Sequence, residues 1–143
     1  MGNKFIKNLT YDEKIVFFEL FCRMIRSDGV IKDEEITFLK AMARRYGIQN
    51  QKLTEIIRNS VNIDYCEEAR KIDNRKHALQ LIKELCFLSN VDKNMSDDEL
   101  DIIVDVAETL NIEEEKVVQI NRWVLNNLVL ARAGHFILEE YDE

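Results

Sequence analysis

Phe21 to Ile48 reads FCRMIRSDGVIKDEEITFLKAMARRYGI, and Leu85 to Ile112 reads LCFLSNVDKNMSDDELDIIVDVAETLNI. Laid over one another without a gap, at an offset of 64 residues, they bring Cys22 onto Cys86, Asp28 onto Asp92, Asp33 onto Asp97, Glu35 onto Glu99, Ala43 onto Ala107 and Ile48 onto Ile112. Their apolar positions coincide as well. A repeat of this length predicts two copies of one supersecondary unit, each needing the other to cover its hydrophobic face.

Each copy reads as helix, short acidic turn, helix. Upstream of the first turn, Thr10 and Glu13 form a T-x-x-E capping box, and Ile15, Phe18, Cys22 and Ile25 recur at helical spacing, predicting a helix over 11–26. Gly29 allows the backbone that a helix exit needs. A second helix starts near Asp33 with acidic residues against its positive end; Ile36, Leu39, Ala43 and Tyr46 are its buried stripe, and Gly47 closes it. A third is expected over 50–61 and, past a polar linker at 62–64, a single long fourth helix over 66–90, weakest in its polar middle 71–77. Ser96 and Glu99 make a complete capping box for a fifth helix with Leu100, Ile103, Ala107 and Leu110 on its face. A sixth runs on to about 130, and a short C-terminal helix over 131–138 is expected to fold back through Phe136 and Ile137. Trp123 and Phe136 are assigned to the core, and 139–143 to a solvated acidic tail.

The expectation is therefore an all-α, single-domain bundle of about seven helices over 11–138, with repeat units 11–62 and 66–130. Composition agrees: 143 residues, no proline, four glycines, and 33% charged residues over 46% apolar ones. No apolar run reaches the roughly 18 to 20 residues of a membrane span, and no signal-peptide core is visible, so a cytoplasmic protein is expected. Of three cysteines, Cys22 and Cys86 fall at matching positions in apolar helical pattern, as buried reduced thiols do. His77 and His135 belong to no zinc spacing. Charge is lopsided: residues 1–80 hold 15 Lys and Arg against 12 Asp and Glu, whereas residues 81–143 hold 5 against 15. An acidic second half disfavours nucleic acid and favours a basic partner or a cation.

The first turn matches D-G-x-I-x-x-x-E, the second half of an EF-hand loop. Calcium also needs oxygen ligands four and two residues before that aspartate, where this chain has Met24 and Arg26 in one copy and Leu88 and Asn90 in the other. An ordinary EF-hand is not expected. Two readings of the turns stay open: a structural one, and one in which the paired turns lie close and their carboxylates meet a divalent ion or a basic surface.

Ser27-Asp28-Gly29-Val30-Ile31 with Glu35 to Leu39, and Asp92, Met95 and Glu99 in the second copy, resemble the TerB family, a tellurite-resistance-associated domain related to a region of certain membrane-anchored DnaJ-type co-chaperones. The second copy departs from the pattern, with Lys93 where glycine is usual and Val91 before the aspartate. The resemblance implies a seven-helix duplicated bundle with acidic surface, a role in stress-response assemblies near the inner membrane, a divalent metal as an option, and no enzyme.

Three functions follow as expectations. The first is a non-enzymatic interaction or scaffold module that presents Asp33, Glu34, Asp97, Asp98 and Asp101 to a partner protein with a basic surface. The second is a carboxylate site of Asp28, Glu35, Asp92 and Glu99 between the repeats, holding calcium, magnesium or manganese. The third is thiol redox sensing by Cys22, Cys66 and Cys86.

Overall fold

A computed structural model describes residues 3–91 and 94–139, without the side chains of residues 3–5 and of Asp28. Eight α-helices follow in order: α1 (Asn3–Asn8), α2 (Tyr11–Ile25), α3 (Asp33–Tyr46), α4 (Asn50–Asn59), α5 (Tyr65–Ala69), α6 (Arg75–Asn90), α7 (Asp97–Thr109) and α8 (Glu114–Ile137). A single 3-10 turn, Arg26–Asp28, follows α2, and no strand occurs among the described residues.

α2 is the hub. Val16, Phe17, Phe18, Leu20, Phe21, Cys22 and Met24 are all buried, so the helix is apolar nearly all round and needs neighbours on every side. It has them: α3, α4, α5, α6 and α7 all pack against it. Phe18 and Phe21 meet the Tyr46 ring of α3 edge-on at centroid distances of 5.1 and 6.4 Å. α6 is the second inner helix, burying Ala78, Leu81, Ile82, Leu85 and Cys86 against α2, α7 and α8. Across the seam, the Ser89 hydroxyl lies 3.3 Å from the Met24 sulfur and 2.9 Å from the Leu85 carbonyl to which it donates. On the flank, Tyr65 of α5 donates to Asp105 of α7 at 2.7 Å while the Arg23 guanidinium of α2 sits 5.6 Å from its ring centroid.

Local signals in the chain set the helix ends. Thr10 and Ser96 each accept from the backbone N–H three residues on, and the glutamate there bonds back, closing both expected capping boxes. At the other end of α3, Gly47 takes the left-handed conformation (φ 76°) and Ile48 N–H donates back to Ala43 O at 2.8 Å; after α7, Asn111 does the same (φ 57°) and Ile112 N–H donates to Ala107 O at 2.8 Å. The helix starts Tyr11 and Arg75, Asp33 and Asp97, and Asn50 and Glu114 stand at one common offset, the 64 that separates the aligned stretches.

Four expectations need correction. The expected long helix over 66–90 is two helices, because the Asn74 side chain accepts from His77 N–H at 3.1 Å and starts α6 afresh, while the connecting turn buries Ile72. The expected short C-terminal helix is the end of α8: with no proline and only Gly134 in its path, α8 runs unbroken for 24 residues. Its last turns do not fold back, and Phe136 and Trp123 are 74% and 52% exposed rather than in the core. In α7, Leu100 faces solvent, and the buried face is Ile102, Ile103, Val106 and Ala107. With α1 added, the fourth helix split and the last two joined, the expected bundle of about seven helices has eight among the described residues. Of the tail, 140–143 lie outside the described residues.

Candidate functional site

Both acidic turns start a helix, and their glutamates are tied to the backbone. Glu35 Oε1 accepts from Lys32 N–H at 2.8 Å, and Glu99 Oε1 from Ser96 N–H at 2.9 Å. The lysine ammonium has no acceptor, so only the return half of the box forms at α3, whereas Ser96 completes it at α7. Glu99 is consequently buried, at 5% exposure. Of the four expected metal ligands, Asp92 and the Asp28 side chain lie outside the described residues. Among the described residues no group of three or more His, Cys, Asp or Glu could hold a metal ion.

The places an EF-hand would use for ligation are turned inward. Met24 is fully buried. The Arg26 guanidinium donates to Ser60 Oγ at 3.0 Å and to Ile57 O at 3.2 Å, fastening the 3-10 turn to α4, and Asn90 Nδ2 donates to Cys86 O at 2.8 Å and Asn121 Oδ1 at 3.1 Å.

The first turn nonetheless lies beside the end of α6 and against α7. The 3-10 turn packs on α7, and Glu34 and Glu35 line a cavity of about 200 Å³ with Leu88 and Val91, the residue before Asp92. Asp33, Glu34, Asp97, Asp98 and Asp101 are all exposed, and none of the ion pairs found among the described residues involves them. Asp33, Glu34, Asp97 and Asp98 lie in the first turns of α3 and α7, where the partial positive charge of the helix end favours them, and Asp101 lies one turn further along α7.

At the opposite end of α2, roughly 22 Å along its axis, lies a cleft of about 830 Å³ that the sequence reading missed. Its floor is a hydrogen-bonded pair: His77 Nδ1 and Glu13 Oε2 are 2.8 Å apart, with side chains only 14% and 12% exposed. Glu13 Oε1 caps α2 through Thr10 N–H, so one carboxylate joins the starts of α2 and α6. Burial raises the Glu13 carboxyl, but hydrogen bonds from the Thr10 backbone and from His77 outweigh it and leave its pKa below the usual value. Glu13 and His77 are themselves 64 residues apart, so carrying the alignment back to Thr10 and Asn74 would have paired them.

Along the wall, Glu19 is pushed up to about 7, first by burial and then by the hydrogen bond and charge of Glu68, with Lys71 and Lys52 pulling the other way. Glu68 also accepts from Lys71 Nζ at 2.8 Å. Glu19 thus holds its proton toward neutral pH beside Glu68. Burial pushes the Cys22 and Cys86 thiols up to about 12, which disfavours their thiolates, and the half-buried Cys66 has no second exposed thiol among the described residues.

No helix among the described residues is long and apolar enough to cross a membrane. No curated protein and no solved structure matches this chain. The profile of the family described as tellurite resistance protein TerB does match, over residues 14–122, a span that takes in most of the central helix, both acidic turns and the cleft residues from Ile15 to His77 but not Glu13. The chain belongs to the TerB family.

Proposed function

We propose that this chain is a cytoplasmic, non-catalytic interaction module of a stress-response assembly, which offers the carboxylates at the starts of α3 and α7 to a basic surface on a partner protein. The observation that carries the reading is the exposure of Asp33, Glu34, Asp97, Asp98 and Asp101 at the starts of two helices, with the first turn packed against α7. Such a surface attracts a basic partner and sets its on-rate more than its affinity. Three free cysteines without a disulfide support a reducing compartment. The common offset of helix starts and of the two left-handed helix exits supports reading the module as a tandem duplication.

The test is binding of a lysine-rich peptide to the whole chain over a salt series. Association that weakens as salt rises, and that falls at least tenfold on Asp97→Asn, Asp98→Asn, Asp101→Asn combined, supports the reading. Binding unchanged by these substitutions overturns it.

One observation favours a second reading, a divalent cation held by Asp28, Glu35, Asp92 and Glu99. Glu35 and Glu99 each commit one oxygen to a backbone N–H and keep a second, and the cavity beside Glu35 reaches Val91. Calorimetric titration with calcium, magnesium and manganese decides it. Silence at millimolar ion removes that reading and leaves the first standing.

A further inference from the structure

Between α6 and α8 runs a groove whose charge is opposite to that of the half of the chain that builds it. Two cavities, of about 360 and 330 Å³, adjoin there and share Lys83 and Trp123. The α8 wall, Lys116, Ile120, Trp123, Asn127 and Ala131, recurs at spacings of three and four, a single stripe that follows the helix for about 22 Å. Leu79, Lys83 and Phe87, at intervals of four, form the α6 wall. A length of that order takes roughly six residues of extended chain, whereas a compact metabolite fills one cavity and leaves the other.

Three cations line the groove. Lys116 stands in one cavity, Arg45 in the other, and Lys83 where they join. Among the described residues the one anion on its walls is Glu84, whose Oε1 is already 2.9 Å from Lys83 Nζ. Lys116 and Arg45 take part in no ion pair among the described residues. Residues 81–143 hold 5 Lys and Arg against 15 Asp and Glu, and two of those five, Lys83 and Lys116, face this groove. Positive charge is thus gathered at one concave place on an otherwise acidic surface, where it attracts anions.

The middle of the groove is apolar. Trp123 is 52% exposed, and Phe87, Val124 and Leu128 lie with it along the same cavity. A half-exposed indole in a concave apolar site is what anchors a partner's large side chain. With cations to either side of the shared indole, the complementary occupant is acidic at both ends and apolar at its centre.

We propose that the groove between α6 and α8 docks an acidic segment of a partner protein, with its carboxylates on Lys116 and Arg45 and a large apolar side chain against Phe87 and Trp123. A flat anionic bilayer does not follow a groove and is repelled by a chain of net charge −7. An inorganic anion meets the cations and leaves the indole unused. The acidic turns and this groove recognise opposite charges, so either stands without the other.

Trp123 is the only tryptophan in the chain, so its fluorescence reports the groove directly. The experiment titrates the whole chain with the peptide Glu-Glu-Phe-Glu-Glu at low and high salt. Expected is a saturable change in indole emission, weakened by salt and weakened about tenfold or more by Lys116→Glu with Arg45→Glu, circular dichroism showing the helices intact. Glu-Glu-Ala-Glu-Glu, which keeps the charges and lacks the ring, binds about tenfold more weakly to the wild type, a comparison that needs no variant to fold. Emission unchanged at about 1 mM peptide overturns the proposal. So does equal binding of the two peptides, or binding that the two substitutions leave as it was. A change in emission with protein concentration alone gives the groove to a second copy, and a response to anionic vesicles or inorganic phosphate that the peptide does not match gives it to a lipid or an ion; each of these overturns the proposal as well.

Discussion

Removing the proton that Glu19 holds beside Glu68 tests the reading of the cleft. Because the folded-state pKa of Glu19 stands near 7, above its ordinary 4.5, the folded chain holds an extra proton between those values. The stability tied to that proton is fully present below about 4.5 and is lost as pH rises through 7. At face value the raise corresponds to roughly 3 kcal/mol; Glu19 is only half-buried and partly screened, which brings the expected figure to about 1 to 2 kcal/mol. Glu19→Gln keeps a hydrogen-bonding group of the same shape and cannot ionise. Urea unfolding of both proteins from about pH 5 to pH 8 should show the wild type losing that 1 to 2 kcal/mol while the variant loses less, so that Glu19→Gln is the more stable protein at the alkaline end. Glu13 does not confuse the result: its pKa is lowered, so its contribution is present above 4.5 and lost only as pH falls below that value. A wild-type-minus-variant difference that stays constant across the series, or grows with the opposite sign, refutes the raised Glu19 pKa.

Other expectations concern the parts of the bundle the sequence made visible. Gly47→Ala costs about 1 to 2 kcal/mol in thermal or urea unfolding, from the left-handed backbone alone, because a Cβ there meets no atom within 4 Å. Glu99→Ala costs about 1 to 2 kcal/mol and Glu35→Ala about half of that, since Glu99 is buried in a complete box and Glu35 closes half of one; equal losses would contradict that difference. Phe21→Ala costs about 3 to 5 kcal/mol, its ring being fully buried against α2 and α3 neighbours. A thiol reagent added to the native protein labels Cys66 and spares Cys22 and Cys86 until denaturant is added.

Helix ends were legible where one residue decides them locally: Thr10 and Ser96 as caps, Gly47 as an exit. The break before α6 was not, because Ile72 continues the apolar spacing across a turn in which it is buried without being helical. The polar middle 71–77 was visible as the weakest part of that helix, and Asn74 within it is the cap residue that starts the new one. α8 misled for another reason. Its apolar residues occur on every side, and periodicity reports that a face is apolar without reporting whether this chain covers it. The acidic turns were visible as charge and spacing, whereas the cleft is made by Glu13 with His77 and Glu19 with Glu68, partners from distant segments that only an extended alignment or the fold brings together.

The most direct test of the proposed function is a map of amide shifts as a lysine-rich peptide is titrated into isotope-labelled chain. A protein of net charge −7 attracts such a peptide somewhere, so location matters more than affinity. Changes concentrated at residues 33–35 and 97–101, with the cleft at Glu13 and His77 quiet, are the predicted result. Changes spread evenly over every acidic residue, or centred on the cleft, would contradict it.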